Sequence, residues 1–582
     1  MSEKGAFGPH IRKAYTYKEL PIGATSIGVC DDVIKTGLWR FIRPVIKMKT
    51  PPCSEGCPAG VDVRGFISLM KQGLFEEAHQ LYLEENPFPA ICGRVCFHPC
   101  ESSCNRKDFD KAVAINALER FIADFEWPVA EAHLKSGGRV AIVGSGPSGM
   151  SSAFYLRRLG HLVTVFEAQE KIGGLLRMGI PSYRLPKEVV DREVEKLRIM
   201  GIEFKKGSPI DRRNWKALGE FDAVFLACGA SKDLPLNLSN RRDGNIISGL
   251  EFLRTVNLGG RISLGKNVAV IGGGNTAIDA ARAAVRLGAS PTIIYRRSRN
   301  EMPAFQTEID DALEEGVKII YLASPVGIEA QGTVQRIECI RNRLGEEGPD
   351  GRPRPVPIEG SSFSLEVDTI LSATGEAPDF SILPENIQVT SGSVWVDMSG
   401  STSMAGIFAG GDVIDQPRSV VHAIGSGKRA AIAIDRYLKN QSGMEWLADL
   451  RIGEKGGLSF RQYREGKLSQ ENKTVIHSDD LNLSYFTVMD RVDRHRIPEG
   501  GRMNFEEVYG SLTEEKARAE AQRCFSCGMC YFCDNCYLFC PDGSVLKQDE
   551  GIANAIDYEY CKGCGICENE CPVGVIEMEK EV

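Results

Sequence analysis

The chain has 582 residues, 42% apolar and 25% charged, which is room for about four domains and too ordinary a mix for a disordered or collagen-like protein. A formal charge of −8 argues against nucleic acid as the main partner. No charged and apolar leader opens the chain, and no uncharged apolar run approaches the about 18 residues of a membrane span, so a cytoplasmic protein is expected.

Residues 1 to 50 carry no strong signal. Their basic stretch, Arg40 to Lys49, reads as a solvated arm in preference to a docking strip. From Pro51 to Phe125, cysteines alternate with helix-like segments such as VRGFISLMKQGLFEEAHQLYLEE, apolar at spacings of three and four. Gly137 and Gly138 then hinge into an α/β region, 139–440. There VAIVG, LVTVFE, DAVFLACG, VAVIGG, PTIIYRR and DTILSATG read as strands separated by helical patterns. Residues 345–360 (GEEGPDGRPRPVPIEG) read as a Gly/Pro-rich loop, and 441–510 are polar, poorly periodic and assigned only a linking role. Ser511 through Glu514 resembles a capping box for a short helix, SLTEEKARAEAQR, leading into a cysteine-dense end.

Two glycine-rich turns stand out. Gly144-Ser-Gly146-Pro147-Ser148-Gly149 follows the strand RVAIV and opens a helix. Gly144 allows the tight turn, Gly146 lets a pyrophosphate approach the backbone, Gly149 allows helix to pack on strand, and the helix N-terminus faces the phosphate charge. Glu167 ends the next strand, where an acid binds ribose hydroxyls. The second turn is Gly272-Gly-Gly274-Asn275-Thr276-Ala277; its next strand ends in Arg296 and Arg297, which suit a 2′-phosphate and favour NADP over NAD. The alternative is that both arginines are solvent-exposed strand-end charges. Two such folds suggest a flavin domain with a nicotinamide domain inserted. Ala373-Thr374-Gly375 and Gly410-Gly411-Asp412 resemble two-dinucleotide-domain flavoproteins, where the aspartate bonds the ribityl chain of FAD. Cys228, in Leu-Ala-Cys228-Gly229, reads as a small packed residue, not a redox thiol.

The 19 cysteines are unevenly placed: six between Cys53 and Cys104, ten between Cys524 and Cys571, with Cys30, Cys228 and Cys339 alone. Without a secretory signal they read as metal thiolates, not disulfides. Cys530, Cys533, Cys536 and Cys540, then Cys561, Cys564, Cys567 and Cys571, form two C-x-x-C-x-x-C-x-x-x-C-P runs, the pattern of two-cluster ferredoxins. Three cysteines of one run and the fourth of the other hold each 4Fe–4S cluster; zinc prefers separate pairs. Cys524 and Cys527 are left over. With Cys53, Cys57, Cys92, Cys96, Cys100 and Cys104 they make eight, enough for two more clusters.

Residues 50–440 resemble the glutamate synthase small-subunit family, on the strings CSEGCPAGVDV, ICGRVCFHPCESSC, GSGPSGMSSAFYL, GGLLRMGIPSYRLPKEVVDREV, GGGNTAIDAARAAVRLGA, YRRSRNEMPA and GIFAGGDV. The resemblance implies an α/β two-dinucleotide-binding-domain flavoprotein with an N-terminal helical iron–sulfur domain and a C-terminal ferredoxin-like α+β module. The divisions expected are 1–50 extension, 51–135 iron–sulfur, 136–264 and 373–440 FAD-binding, 265–372 NAD(P)-binding, 441–522 linker and 523–582 ferredoxin-like. It also implies that Gly174, Leu175, Arg184 and Gly229 line the cofactor. The family's upstream Arg-Cys-x-x-Cys-Gly is missing before Cys53, yet EAQRCFSCG stands at 520–528. Carried over by position, one cluster takes Cys53, Cys104, Cys524 and Cys527, and the other Cys57, Cys96, Cys100 and Glu119. That leaves Cys92 unliganded; the competing assignment keeps Cys92 and makes Glu119 a surface acid. The chain's ends are therefore expected to meet.

The implied activity is electron transfer between NAD(P)H, FAD and four 4Fe–4S clusters, with no Ser, His or Cys nucleophile and with His422 in a packing or flavin-proximal role. The tail EYCKGCGICENECPVGVIEME looks like the ferredoxin-type subunit of 2-oxoacid:acceptor oxidoreductases. It implies iron–sulfur or thiamine-dependent partner subunits in a hetero-oligomeric complex. Ten acidic against three basic residues from 541 to 582 suggest an acidic face for a basic partner. A glutamate synthase small subunit and a non-catalytic electron wire are the alternatives.

Overall fold

Each glycine-rich turn leaves the central strand of its own parallel sheet. In the computed structural model, which describes residues 35–128 and 137–581 apart from 237, 239, 243–245, 332–333, 349–350, 467–472 and 550, the first sheet has five strands. Their order is Ile407–Ala409, Ala223–Leu226, Arg139–Val143, Leu162–Phe166, Glu203–Lys205. The second sheet runs Ile246–Ser248, Thr369–Ser372, Asn267–Ile271, Ser290–Ile294, Lys318–Ile320, also parallel. The two share one order of roles: glycine-turn strand in the centre, the next two strands to one side, and the strand ending in Ala-x-Gly on the other. All six strand-like runs of the sequence form strands here. Cys30 lies outside the described residues.

Between the two visits to the first sheet, an antiparallel group, Ala323–Gln331, Val334–Glu347 and Phe363–Val367, caps the second. Residues 345–360 are not all loop. Pro353–Pro357 is an edge strand paired with Val334–Glu347, from Asn342 opposite Pro357 to Glu347 opposite Pro353, and three prolines without N–H groups suit an edge.

In the helical domain, the long amphipathic segment is two helices. Asp62 caps Val63–Gln72 by accepting from the Gly65 amide at 2.9 Å, Gly73 ends it in the left-handed region, and Phe75–Glu85 follows. Val63, Phe66, Ile67 and Met70 form its buried face. Their core is continuous with the first sheet and with Trp446, Leu447, Phe460 and Leu512.

That continuity corrects the reading of 441–510 as a linker. Glu445–Leu450 and Phe460–Glu465 are packed helices, and the segment after residue 488 straps three parts of the chain together. Arg491 pairs with Glu101 at 2.7 Å, Glu507 accepts from Arg94 at 2.8 Å and Arg120 at 3.0 Å, and Arg496 and Arg502 hold Glu314 at 2.6 and 3.0 Å. The following helix is Glu514–Gln522, capped by Thr513 and not Ser511.

The basic stretch is not a solvated arm. Ile42–Ile46 pairs antiparallel with the last strand, Ile576–Lys580, in the register Ile42–Lys580 through Ile46–Ile576. Arg40 binds Glu581, Lys47 binds Glu577 and Glu579, and Lys49 binds Glu577 at 2.7 Å. Three acids of the tail, Glu577, Glu579 and Glu581, are thus met within the chain. Around this pair the ferredoxin-like module has two short helices, Asn535–Leu538 and Ile566–Asn569, and a hairpin, Val545–Leu546 with Ala555–Ile556. Among the described residues, no helix is long and apolar enough to cross a membrane.

Candidate functional site

The three glycines of the first turn have separate geometric duties. A Cβ on Gly144 would stand 2.4 Å from the Ala227 carbonyl oxygen and one on Gly149 2.0 Å from that of Gly144, so both sites need glycine for packing. At Gly146, the N-cap of Pro147–Arg158, a Cβ would meet nothing within 4 Å. That is the opening a pyrophosphate needs, with helix amides behind it. Gly174 closes over the turn, its Cβ position 2.9 Å from the Gly146 Cα, next to Leu175. Ser145, passed over in the sequence, ties the turn together. Its hydroxyl and amide donate to Glu167, at 2.5 and 3.0 Å, and its oxygen accepts from the Gly173 amide at 3.0 Å. Gly229 lines the same open edge, where an added Cβ would touch nothing within 4 Å. Beside it Cys228 has its thiol pushed up to about 12 by burial, an unreactive setting.

Gly410 and Gly411 lie against Phe225 and Ser148, and the Gly411 amide donates to Ser426 Oγ at 2.9 Å. Asp412 follows, its carboxyl raised to about 6 by burial. Ser426 belongs to the helix Val420–Leu438, whose N-cap Ser419 also bonds His422 Nδ1 at 2.8 Å. His422 stacks on Phe97, centroids 5.8 Å apart, and Phe97 stacks on Phe305 at 5.8 Å. Three parts of the chain meet in that stack.

The second turn repeats the first. A Cβ on Gly272 would stand 2.2 Å from the Ala373 carbonyl oxygen, whereas at Gly274 it would meet nothing within 4 Å. Asn275 Oδ1 accepts from the Phe305 amide at 3.2 Å, and Thr276 donates to Glu376 at 3.1 Å. Thr374 and Gly375 end the neighbouring strand, with Thr374 Oγ1 donating to the Leu234 carbonyl at 3.3 Å. Two arginines depart from expectation. Arg297 is buried and donates to the Pro353 carbonyl at 2.6 Å, leaving Arg296 as the exposed cation. Arg184, expected at the cofactor, pairs with Asp279 at 2.7 Å and Glu308 at 3.0 Å, because nearby carboxylates satisfy the buried guanidinium.

The cysteines gather in four groups. Burial raises the Cys53 thiol, and Cys104, Cys524 and Cys527 raise it further, so these four face one another. Arg64 donates to the carbonyls of Lys49 (3.0 Å) and Cys527 (2.9 Å), Lys71 to that of Cys524 (2.7 Å), and Asn105 to Cys527 Sγ (3.6 Å). In the second group, the charge of Glu119 acts on Cys57, Cys96 and Cys100. The Glu119 carboxyl, raised to about 8 by burial, accepts from Tyr82 at 2.5 Å, so it is not a surface acid. Cys92 is buried in the helix Pro89–Val95 beside the same group.

The other two groups line cavities. Cys530, Cys533, Cys536 and Cys571 line one, with Ile46 in the wall. Cys540, Cys561, Cys564 and Cys567 line the other, with Pro44 in the wall. Three cysteines of one run and the fourth of the other therefore share each cavity. Among the described residues, no three ligand-type side chains close on one point as round a single ion. Pro44 and Ile46 were missed in the sequence, because IRPVI shows no polar–apolar alternation that would mark a strand with one buried face.

Three family descriptions match the chain: pyridine nucleotide-disulphide oxidoreductase at residues 138–427, dihydropyrimidine dehydrogenase domain II (4Fe-4S cluster) at 45–130, and 4Fe-4S binding domain at 555–577. The chain is 36% identical over 514 residues to the NADP(+)-dependent formate dehydrogenase subunit beta of Moorella thermoacetica, covering 82% of this chain and 70% of that protein. It is 35% identical over 527 residues to the NADPH-Fe(3+) oxidoreductase subunit beta of Geobacter sulfurreducens, covering 84% and 76%. With the glutamate synthase (NADPH) small chain of Azospirillum brasilense it shares 34% over 421 residues, 67% of this chain and 86% of that one.

Proposed function

The chain belongs to the glutamate synthase small-chain family of FAD- and iron–sulfur-dependent NAD(P) oxidoreductases, and we propose that it is the nicotinamide-oxidising electron-transfer subunit of a larger complex. FAD bound here would supply hydride exchange with a nicotinamide and one-electron transfer to iron–sulfur clusters. The chain's own residues bind and orient. Gly146 and Gly274 bring backbone to the two pyrophosphates, Asp412 holds the ribityl chain, and Arg296, exposed at its strand end, selects the 2′-phosphate of NADPH.

Four clusters are proposed. Two fill the cavities of the C-terminal module. A third takes Cys53, Cys104, Cys524 and Cys527, and a fourth Cys57, Cys96, Cys100 and Glu119. Glu119 is preferred to Cys92 on the family resemblance, and its carboxyl is buried among those cysteines. The observation that carries the reading is the pair of cavities, each lined by four cysteines drawn from both runs. Oxidation or reduction of the final substrate belongs to the partner. The ferredoxin-like tail supports a thiamine-dependent 2-oxoacid oxidoreductase in that role, and the length of the match to subunits named for formate and Fe(3+) supports a redox partner in general.

The test is NADPH-driven reduction of a viologen dye by the purified chain with FAD and iron quantified. Steady dye reduction with four clusters' iron per FAD is expected. No reduction by a fully loaded protein would leave only an electron wire.

A further inference from the structure

The helix Val420–Leu438 touches both redox neighbourhoods. Through Ser426 it holds Gly411, next to Asp412, at 2.9 Å. At Gly425 it lies so close to the loop after Cys57 that a Cβ would stand 2.3 Å from the Pro58 carbonyl oxygen. One turn along, Lys428 has no exposed surface, and its ammonium donates to the carbonyl of Ala59 at 2.5 Å. It also donates to the Glu85 carbonyl at 3.2 Å and the Glu85 carboxylate at 2.6 Å. The amides of Ala59 and Val61 donate to the Cys57 thiol, on which the Lys428 charge acts directly.

Glu85 is held on its far side by Ser459 Oγ at 2.6 Å and by the amides of Phe460 and Arg461 at 2.8 and 3.2 Å. The pair is therefore a fixed dipole with its positive end toward Cys57. A buried ion pair adds little net stability over apolar packing of similar volume, so stability alone does not account for it. A cluster that accepts one electron gains one negative charge, and a nearby cation in a poorly polarisable interior favours that reduced state.

We propose that Lys428, oriented by Glu85, raises the reduction potential of the cluster held by Cys57, Cys96 and Cys100. The proposal rests on the ligand assignment made above. Lys428 is a positioning residue for charge: it touches the ligand loop, not the substrate.

The experiment is an EPR-monitored redox titration of the FAD- and iron-loaded protein and its K428M, K428R and E85Q variants. It is run near pH 6 so that the ammonium keeps its proton when Glu85 is neutralised. Lys428→Met is expected to lower the midpoint of one cluster, Glu85→Gln to raise it, and Lys428→Arg to leave it near wild type, with the other clusters unmoved. Shifts of one sign in K428M and E85Q, or none, with iron content intact, would overturn the proposal. If K428M loses iron, E85Q and K428R still decide. A wild-type protein short of one cluster's iron would instead refute the ligand assignment and leave the role of Lys428 without a cluster to act on.

Discussion

Arg64 and Cys527 are 463 residues apart in the chain, yet the guanidinium donates to the Cys527 carbonyl at 2.9 Å while also holding the Lys49 carbonyl at 3.0 Å. One side chain thus fastens the start of the helical domain to the entrance of the C-terminal module. Removing it should loosen the group Cys53, Cys104, Cys524 and Cys527 first. Arg64→Ala is expected to cost about 2 kcal/mol for its charged hydrogen bonds. It should also drop the iron content by one cluster, as should the pair Cys524→Ser and Cys527→Ser. Iron analysis with EPR checks this: loss of the ferredoxin signals as well would show that the group is not separate.

The glycines of the first turn should separate folding from binding. Gly146→Val adds bulk where a Cβ meets nothing within 4 Å, so the thermal midpoint of the FAD-free protein should hardly change while FAD is lost on gel filtration. Gly149→Ala sets its Cβ 2.0 Å from the Gly144 oxygen and should cost about 1–3 kcal/mol with or without FAD. Calorimetry of both variants, with and without added FAD, tells the two effects apart.

The adjacent arginines should also differ. Arg296→Ala is expected to lower kcat/KM for NADPH by roughly ten- to a hundredfold, about 1.5–3 kcal/mol for a charge-assisted phosphate contact, with NADH little affected. Arg297→Ala, which strips the Pro353 carbonyl of its donor, should lower the melting temperature instead and shift both cofactors alike. Equal selectivity in R296A and wild type would remove Arg296 from the phosphate site.

His79 predicts a loss of stability in acid. It is buried with Nδ1 unpartnered, lies 5.8 Å from the Trp127 ring, and has its pKa lowered to about 3, chiefly by burial and then by the Lys196 charge. Between pH 6.5 and 3 the unfolded chain binds a proton that the folded chain refuses, so stability falls as the pH drops through that window. Going from pH 7 to 5 this should cost about 2 kcal/mol, and His79→Leu should abolish that part of the slope. Urea denaturation at the two pH values measures it.

Much of the architecture was readable because each motif is demanded by local geometry. Gly144, Gly149 and Gly272 stand where any Cβ would strike backbone, and the cysteine runs space their thiols for a cubane. What escaped was whatever depends on a distant partner. Ile42–Ile46 looks like a polar arm until Ile576–Lys580 lies beside it. Arg496 and Arg502 look like solvated charges until Glu314 faces them. Arg184 stands in a cofactor-type motif, but Asp279 and Glu308, remote in sequence, claim its charge. A sequence shows which residues could serve a ligand and hides which of them the protein itself will claim.

The pairing of Ile42–Ile46 with Ile576–Lys580 sets an order of manufacture. At about 5–20 residues per second, the ribosome needs about 20–90 seconds to travel from Arg64 to Cys527. The two nucleotide folds, whose strands lie between residues 139 and 409, are complete before the last cysteines emerge. Cys53 and Cys104 therefore precede Cys524 and Cys527 by the synthesis of both nucleotide folds. Ile576–Lys580 is made more than 500 residues after Ile42–Ile46, so the first strand of this pair waits for its partner through almost the whole of that synthesis. A bulky insertion in either strand would intrude on the same two-stranded seam.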